Sequence, residues 1–475
     1  MEIKKYDFVV LGAGVAGLSF AWKMAKNGKT VLVLEKESVV GGLSRTIEHE
    51  GFLMDFSAHR FHSKNKELLD TIFSLPGLEM KKHVKKSRIY LYNKFLKYPF
   101  ELTNLLRAMP IKDSLLCGAD YLLNRIRTRH TKLVGRSYKD WFVYYYGTRL
   151  YEIMCYRYTS KIWGMDPATI SADWADARFQ GEDLQKLIKR AVLKLLTFNF
   201  SRYDLADDSL APDGGEFYYP DLGIQELPDA FARNLKALDG DIKLTATVTK
   251  ILTNEKLIEY SYEGEKQIVS YGSIISTIPL TMLYQLRNRL SGEIKKLLGK
   301  TSYMDIIFVY VFLNQDHVSN DHWMYFPDSN IPFNRSVEFT NWSKKMAPAG
   351  KTCLCLDITC YFGDPVWNKT DEQHSEDCIS VGDRIGLFKK ANVMNTYVKR
   401  IRYAYPVYDL DYRSRLEKVV GFLEQNNTFL LGRTGIFRYN NSDNSIEMAF
   451  QLAQNFIDGA ENKSIFEYKI KQISL

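Results

Sequence analysis

Gly12, Gly14 and Gly17 fall in GAGVAG, directly behind the apolar run YDFVVL at 6–11, and Glu35 lies 21 residues beyond Gly14. Each position has its own chemistry. The first glycine permits the turn, the second lets backbone approach a pyrophosphate, and the third lets helix and strand pack closely. Diphosphate oxygens then accept N–H bonds at the helix start, where aligned peptide dipoles favour negative charge. Glu35, near the end of the next strand-like run TVLVLEKE, stands where an acceptor for a ribose hydroxyl is needed. Glycine-rich turns also occur without ligands, but this one sits inside a strand, turn, helix, strand order with the acid at its expected separation. The expectation is dinucleotide binding.

Behind it, ESVVGGLSRTIEHEGFLMDFSAHRF places Gly41 and Gly42 as a pair with Arg45 close by. Paired glycines let the chain pass tightly over a ligand, and an arginine supplies fixed charge near phosphate. This segment resembles the second signature of the FAD-containing amine oxidase and protoporphyrinogen oxidase superfamily, which implies FAD as the tightly held dinucleotide. It also implies an α/β fold: a discontinuous Rossmann-like FAD-binding domain with an inserted helical lobe and a substrate-facing β-sheet lobe. Along the chain the expected division is 1–95, 212–290 and 400–475 for the FAD domain, 96–211 for the helical insert and 291–399 for the sheet.

Five later segments resemble the flavin-dependent UDP-galactopyranose mutases within that superfamily: FLKYPFEL at 95–102, YRYTSKIWGMDPATISADWADARF at 156–179, WMYFPDSNIPFNRSVEFTNWS at 323–343, RYAYPVYDLDYR at 402–413 and LLGRTGIFRYNNSDNSIEMAF at 430–450. The resemblance implies redox-neutral chemistry, in which N5 of reduced FAD attacks the anomeric carbon of a nucleotide-diphosphate sugar, UDP leaves, and reclosure changes the ring size. The protein positions the flavin, stabilises the leaving diphosphate and excludes water. Arg335 is then the diphosphate clamp, Tyr405 and Tyr439 are partners for phosphate or sugar, and Arg433 supports flavin or substrate. Ser442 or Asp443 is expected to cap the last helix, whose positive end would favour a reduced, anionic flavin. His59 aligns with the histidine of a Gly-Gly-His segment beside the flavin, so it joins Arg335 as a catalytic candidate. The two glycines are replaced by Ser57 and Ala58, and a positive φ there would carry a steric penalty.

These residues need a large scaffold. The chain has 475 residues, 45% of them hydrophobic and 25% charged, enough for two or three lobes and unlike disorder or collagen. Cys117, Cys155, Cys353, Cys355, Cys360 and Cys378 are too scattered for a disulfide framework and read as reduced thiols. Ile306–Leu313 is far short of the roughly 20 residues of a membrane span and reads as a buried strand. Lys4 and Lys5 precede an apolar run as in a secretion signal, but that run passes straight into the glycine fingerprint. EDLQKLIKRAVLKLL at 182–196 has helical apolar periodicity. His59 and His62 have no matching ligand cluster, so no metal is expected.

The formal charge of +8 is modest, and its concentration at 81–98 and 125–136 suits phosphorylated small molecules or a membrane surface better than nucleic acid. The expected site is cytoplasmic, near the inner membrane, in polysaccharide synthesis. A peripheral membrane contact, a transient NAD(P)H reductant and the oligomeric state stay open. So do two rivals to a mutase: an FAD oxidoreductase acting on an amine, a porphyrinogen-like compound or a carbon–carbon bond, and a non-catalytic nucleotide-sugar binder.

Overall fold

Two runs of buried residues set the framework. In the computed structural model of the chain, described here for residues 3–98, 109–128, 137–174, 215–288 and 290–468, the strand Lys5–Leu11 lies between Val31–Leu34 and Glu265–Ser276, parallel to both. Phe8, Val9, Val10 and Leu11 are buried, as a strand covered on both faces requires. The seven-stranded sheet continues through Leu257–Tyr262 to Thr247–Leu252 on one side and through Val31–Leu34 to Asp241–Lys243 on the other. Thr428–Leu430, from near the end of the chain, also pairs with Glu265–Ser276 in parallel. The helix Val15–Lys26 packs on this sheet and against the late helix Ser442–Ile457.

The second seven-stranded sheet is built around Tyr303–Leu313, whose eleven residues are all buried. Antiparallel neighbours Val393–Pro406 and Thr352–Cys360 flank it, which explains why the sequence shows a continuous apolar run instead of alternation. Beyond Thr352–Cys360 come Arg335–Glu338, Trp323–Tyr325, Ser87–Leu91 and Lys94–Lys97. The sheet thus takes strands from both sides of the expected 291–399 interval. Ser87–Leu91 joins through a parallel pairing to Trp323–Tyr325, a long-range register that no local sequence signal marks.

In the helical lobe Ser137 opens Tyr138–Tyr146 with a capping box, its Oγ accepting from Asp140 N at 3.1 Å while Asp140 Oδ2 accepts from Ser137 N at 3.3 Å. A π-helical turn, Tyr151–Tyr156, feeds Arg157–Trp163, which ends at Gly164 in a left-handed cap. Lys161 fastens that helix to the second sheet by donating to the carbonyls of Phe326, 2.6 Å, and Phe333, 2.7 Å. The helix expected at 182–196 and most of the basic stretch 125–136 lie outside the described residues.

Candidate functional site

The glycine turn follows from the ends of two parallel strands. Gly12 has φ +97°, and a Cβ there would come within 2.4 Å of Thr277 Oγ1. A Cβ on Gly17 would meet Gly12 O at 2.3 Å, so strand and helix touch there. Gly14 differs: φ is −71° and nothing lies within 4 Å of the position its Cβ would take. Gly41 N donates to Ala13 O at 2.8 Å and Gly42 packs against Gly14, folding the second glycine pair over the first. Glu35 reaches back, Oε2 accepting from Ala13 N at 2.7 Å and Oε1 from Glu37 N at 3.0 Å. A carboxylate has about four lone-pair sites, so acceptor capacity is left for a ribose. Arg45 lies over the ring of Phe56, 5.3 Å from its centroid, and among the described residues its buried Nε has no hydrogen-bond partner. An open flank at Gly14, spare acceptors on Glu35 and an orphaned arginine donor fit the dinucleotide FAD.

The end of the chain closes on this cleft. Gly432–Gly435 packs against the strand end at Ser276 and Thr277. Arg433 Nε donates to Asn440 O at 2.8 Å, and its guanidinium lies 5.0 Å from the Tyr405 ring centroid and 5.4 Å from that of Tyr439. The helix behind it is capped by neither Ser442 nor Asp443. Its N-cap is Asn441, whose N–H donates to Asn444 Oδ1 at 3.2 Å, and both expected caps are already helical. The NNSDN run offers several residues able to cap, and their order alone does not choose between them. Asp443 is buried in the first turn, where desolvation raises its carboxyl to about 7.

Between glycine turn and pocket runs the loop Phe56–Arg60. It follows Asp55, a buried carboxylate that accepts from Thr46 Oγ1 and Tyr219 OH, both at 2.6 Å, while its backbone oxygen accepts from Tyr310 OH at 2.8 Å. Ser57 has φ +72°, so the penalised conformation is present, and it falls on Ser57 while Ala58 stays at negative φ. His59 is held neutral: burial, then the charges of Arg433 and Arg335, bring its imidazole down to about 3. Among the described residues its buried Nδ1 has no hydrogen-bond partner.

Arg335 and Asp357 are direct cross-strand partners in the second sheet. Arg335 Nε and Nη2 lie 2.8 and 2.6 Å from Asp357 Oδ2. That carboxylate keeps the guanidinium charged despite its burial. Both residues line a half-open pocket with Tyr158, Trp174, Tyr405 and Tyr439. Tyr405 and Tyr439 stack at 5.6 Å, and Trp174 meets Tyr439 edge-on at 4.6 Å. Burial raises the Tyr405 hydroxyl, so it remains a proton-bearing donor. Four residues singled out from sequence, Arg335, Tyr405, Tyr439 and Arg433, are thus gathered at one place, with His59 close enough to feel both arginines. Asp357, Trp174 and Tyr158 were not singled out. Asp357 stands in CLCLDITC, where a lone charged residue in an apolar strand was the available signal.

The basic stretch at 81–98 is tied into the fold. Lys81 pairs with Asp221 at 2.7 Å, Lys82 with Glu216 at 2.8 Å and Arg88 with Asp321 at 2.5 Å. Among the described residues no helix is long and apolar enough to cross a membrane, and no group of three or more His, Cys, Asp or Glu is placed to hold a metal.

Residues 10–73 match the NAD(P)-binding Rossmann-like domain and residues 176–357 the flavin containing amine oxidoreductase family. The chain is 19% identical over 463 residues to a probable UDP-galactopyranose mutase of Klebsiella pneumoniae, covering 96% of each chain. It is 32% identical over 114 residues to the UDP-galactopyranose mutase of Mycoplasma pneumoniae, a match to 23% of this chain and only 28% of that one. In fold it is similar to a crystal structure of reduced UDP-galactopyranose mutase, with TM-score 0.84, 22% identity and coverage of 99% of this chain and 97% of the other. Over residues 176–357 the chain thus resembles the flavin containing amine oxidoreductases, and over nearly its whole length it is similar to the UDP-galactopyranose mutases.

Proposed function

We propose that this protein is a flavin-dependent mutase that interconverts the ring forms of a nucleotide-diphosphate sugar, UDP-galactopyranose or a close relative. The observation that carries the reading is the convergence of Arg335, Arg433, Tyr405 and Tyr439 on one cavity beside His59. Bound FAD in its reduced form supplies the nucleophile for the anomeric carbon, with NAD(P)H as the transient electron donor. The chain's residues do the rest. Arg335 meets the diphosphate, the tyrosine hydroxyls donate to phosphate or sugar, and the ring wall of Trp174, Tyr405 and Tyr439 excludes water. His59, neutral through the physiological range, serves by shape and polarity beside the flavin and not by titrating.

The test is to incubate the FAD-loaded enzyme, reduced anaerobically by NADPH or dithionite, with a panel of UDP-sugars and to resolve pyranose from furanose. Ring interconversion without net oxidation is expected, and no isomerised sugar across the panel would sink the proposal. The pH profile of kcat between 5 and 8 should show no inflection belonging to His59. His59→Gln should lower kcat without altering the profile's shape. Because the imidazole binds its proton near 6.5 when unfolded but only near 3 when folded, stability should fall as pH drops below about 6.5, and less so in that variant. An oxidoreductase is the second reading, motivated by the match of residues 176–357 to the flavin containing amine oxidoreductases. Flavin bleaching by substrate alone under anaerobic conditions would select it.

We further assign peripheral contact with an anionic membrane, on the cytoplasmic side, to the helix Ile111–Thr128. Ile111, Leu115, Leu122 and Ile126 are each 63% or more exposed along one face. Lys112 and Arg127 are exposed near its two ends, while Asp120 turns inward to accept from Arg149 N at 3.0 Å. An apolar stripe flanked by cations suits lipid headgroups. Pairing this face antiparallel with a second copy would bring Lys112 towards Arg127. The protein should sediment with phosphatidylglycerol vesicles and not with phosphatidylcholine vesicles, and Leu115→Glu with Ile126→Glu should abolish it. Sedimentation that persists in the variant, or loss of a dimer in its place, would refute the assignment.

A further inference from the structure

Ser57 is the anomaly of the site. It is buried, 3% exposed, in a left-handed conformation that glycine adopts freely and serine does not. Its hydroxyl makes two bonds to charged groups: Oγ donates to Asp357 Oδ2 at 2.5 Å and accepts from Arg335 Nη2 at 2.7 Å. Asp357 Oδ2 is therefore met by Ser57 Oγ and by both Nε and Nη2 of Arg335. A guanidinium has five N–H donors in a rigid plane, one on Nε and two on each terminal nitrogen. The Nε donor faces Asp357 and the Nη2 donors face Asp357 and Ser57. The two on Nη1 make no hydrogen bond among the described residues, and Arg335 lines the cavity.

We propose that Ser57 and Asp357 are positioning residues for Arg335: they hold its Nε and Nη2 edge so that the Nη1 edge is the one presented to a phosphate-bearing ligand. This rests on the nucleotide-sugar reading. Three consequences follow from the geometry. The arginine is ordered before the ligand arrives, so less side-chain freedom is lost on binding. The neighbouring carboxylate offsets most of the guanidinium charge, which moderates the pull on a diphosphate. The backbone strain at Ser57 persists because its side chain holds two partners that glycine could not hold.

The last point gives the test a readout that a merely structural residue would not produce. Ser57→Gly relieves the strained backbone and removes both hydrogen bonds of the hydroxyl, so its two effects on stability oppose each other while only the lost bonds reach the ligand. With the FAD-loaded enzyme and UDP as the calorimetric probe, Ser57→Gly should keep its flavin and shift its melting temperature little, yet bind UDP about tenfold more weakly, the loss of one charge-assisted bond's worth of ordering. Ser57→Thr, which restores a hydroxyl, should recover part of that affinity. Asp357→Asn keeps an acceptor beside Nε but removes the counter-charge, and should give UDP binding a steeper salt dependence than the wild type. UDP affinity and salt dependence unchanged in Ser57→Gly and Asp357→Asn would overturn the proposal. If the wild type binds no UDP, the nucleotide-sugar reading fails, and positioning is decided by the crystal structure of Ser57→Gly. An Arg335 guanidinium undisplaced there would overturn it, and a displaced one would uphold it.

Discussion

Replacing Arg335 with alanine is expected to weaken UDP binding by about a hundredfold or more while the protein keeps its FAD. Truncating one member of a buried, hydrogen-bonded charge pair costs about 2–5 kcal/mol at a binding site, which is the source of that magnitude. Binding is not the only loss. Asp357, with its side chain only 3% exposed, would remain as a buried carboxylate without its counter-charge, and breaking such a pair from one side costs about 3–5 kcal/mol of stability. The two effects separate in the double variant Arg335→Ala/Asp357→Ala. Removing both charges should return much of the lost melting temperature and none of the UDP affinity. Calorimetric titration and thermal unfolding of wild type, single and double variants read both quantities. Flavin lost in parallel with UDP affinity would place Arg335 in cofactor support, and undiminished UDP binding would remove it from the ligand site.

The second large effect is at Gly14. Gly14→Val should give a protein that purifies without flavin yet melts where the wild-type apoprotein melts. The backbone there, φ −71° and ψ 169°, is one a β-branched residue adopts readily, and the space a Cβ would enter is empty of protein atoms. What the side chain meets is the pyrophosphate. Gly12→Ala and Gly17→Ala should behave otherwise. The first needs a strained φ and meets Thr277 Oγ1, the second runs into Gly12 O, and both should lower the melting temperature of the apoprotein itself. Flavin absorbance at full stoichiometry in Gly14→Val would show that the cofactor does not lie against this turn.

Much of this was legible in the residues. The fingerprint Gly12, Gly14, Gly17 and Glu35 announces a strand–turn–helix because each glycine answers a local steric demand. The run Ile306–Leu313 announces its burial by having no polar face. Arg335, Tyr405, Tyr439 and Arg433 were found in motif-like segments, and the chain brings them together. Asp357 was not legible. Whether a lone aspartate in a strand faces an arginine 22 residues earlier depends on cross-strand register, and register follows from the pairing of whole strands. Ser57 was half legible: the steric penalty could be anticipated from the replacement of glycine, but not the two partners that hold the residue there. The choice of Asn441 over its neighbours as the helix cap turns on backbone angles within a run of residues with nearly equal capping ability.

Asp55 carries a consequence for how the molecule comes apart. Its side chain is bonded to Thr46 and to Tyr219, and its carbonyl receives the hydroxyl of Tyr310 from the centre of the second sheet. Two residues on, Ser57 is bonded to Asp357 of that same sheet. The short stretch between them therefore ties the hairpin Thr46–His49/Phe52–Asp55 and the strand Glu216–Tyr219 to the cavity-bearing sheet. The hairpin cannot come away from that sheet without tearing polar groups from buried partners. Heat should then unfold hairpin and cavity-bearing sheet in one cooperative transition, with coincident loss of secondary structure and of aromatic near-ultraviolet signal. FAD, which would lie beside Gly41 and Gly42 just ahead of the hairpin, should slow amide exchange in the hairpin and in the strands of that sheet.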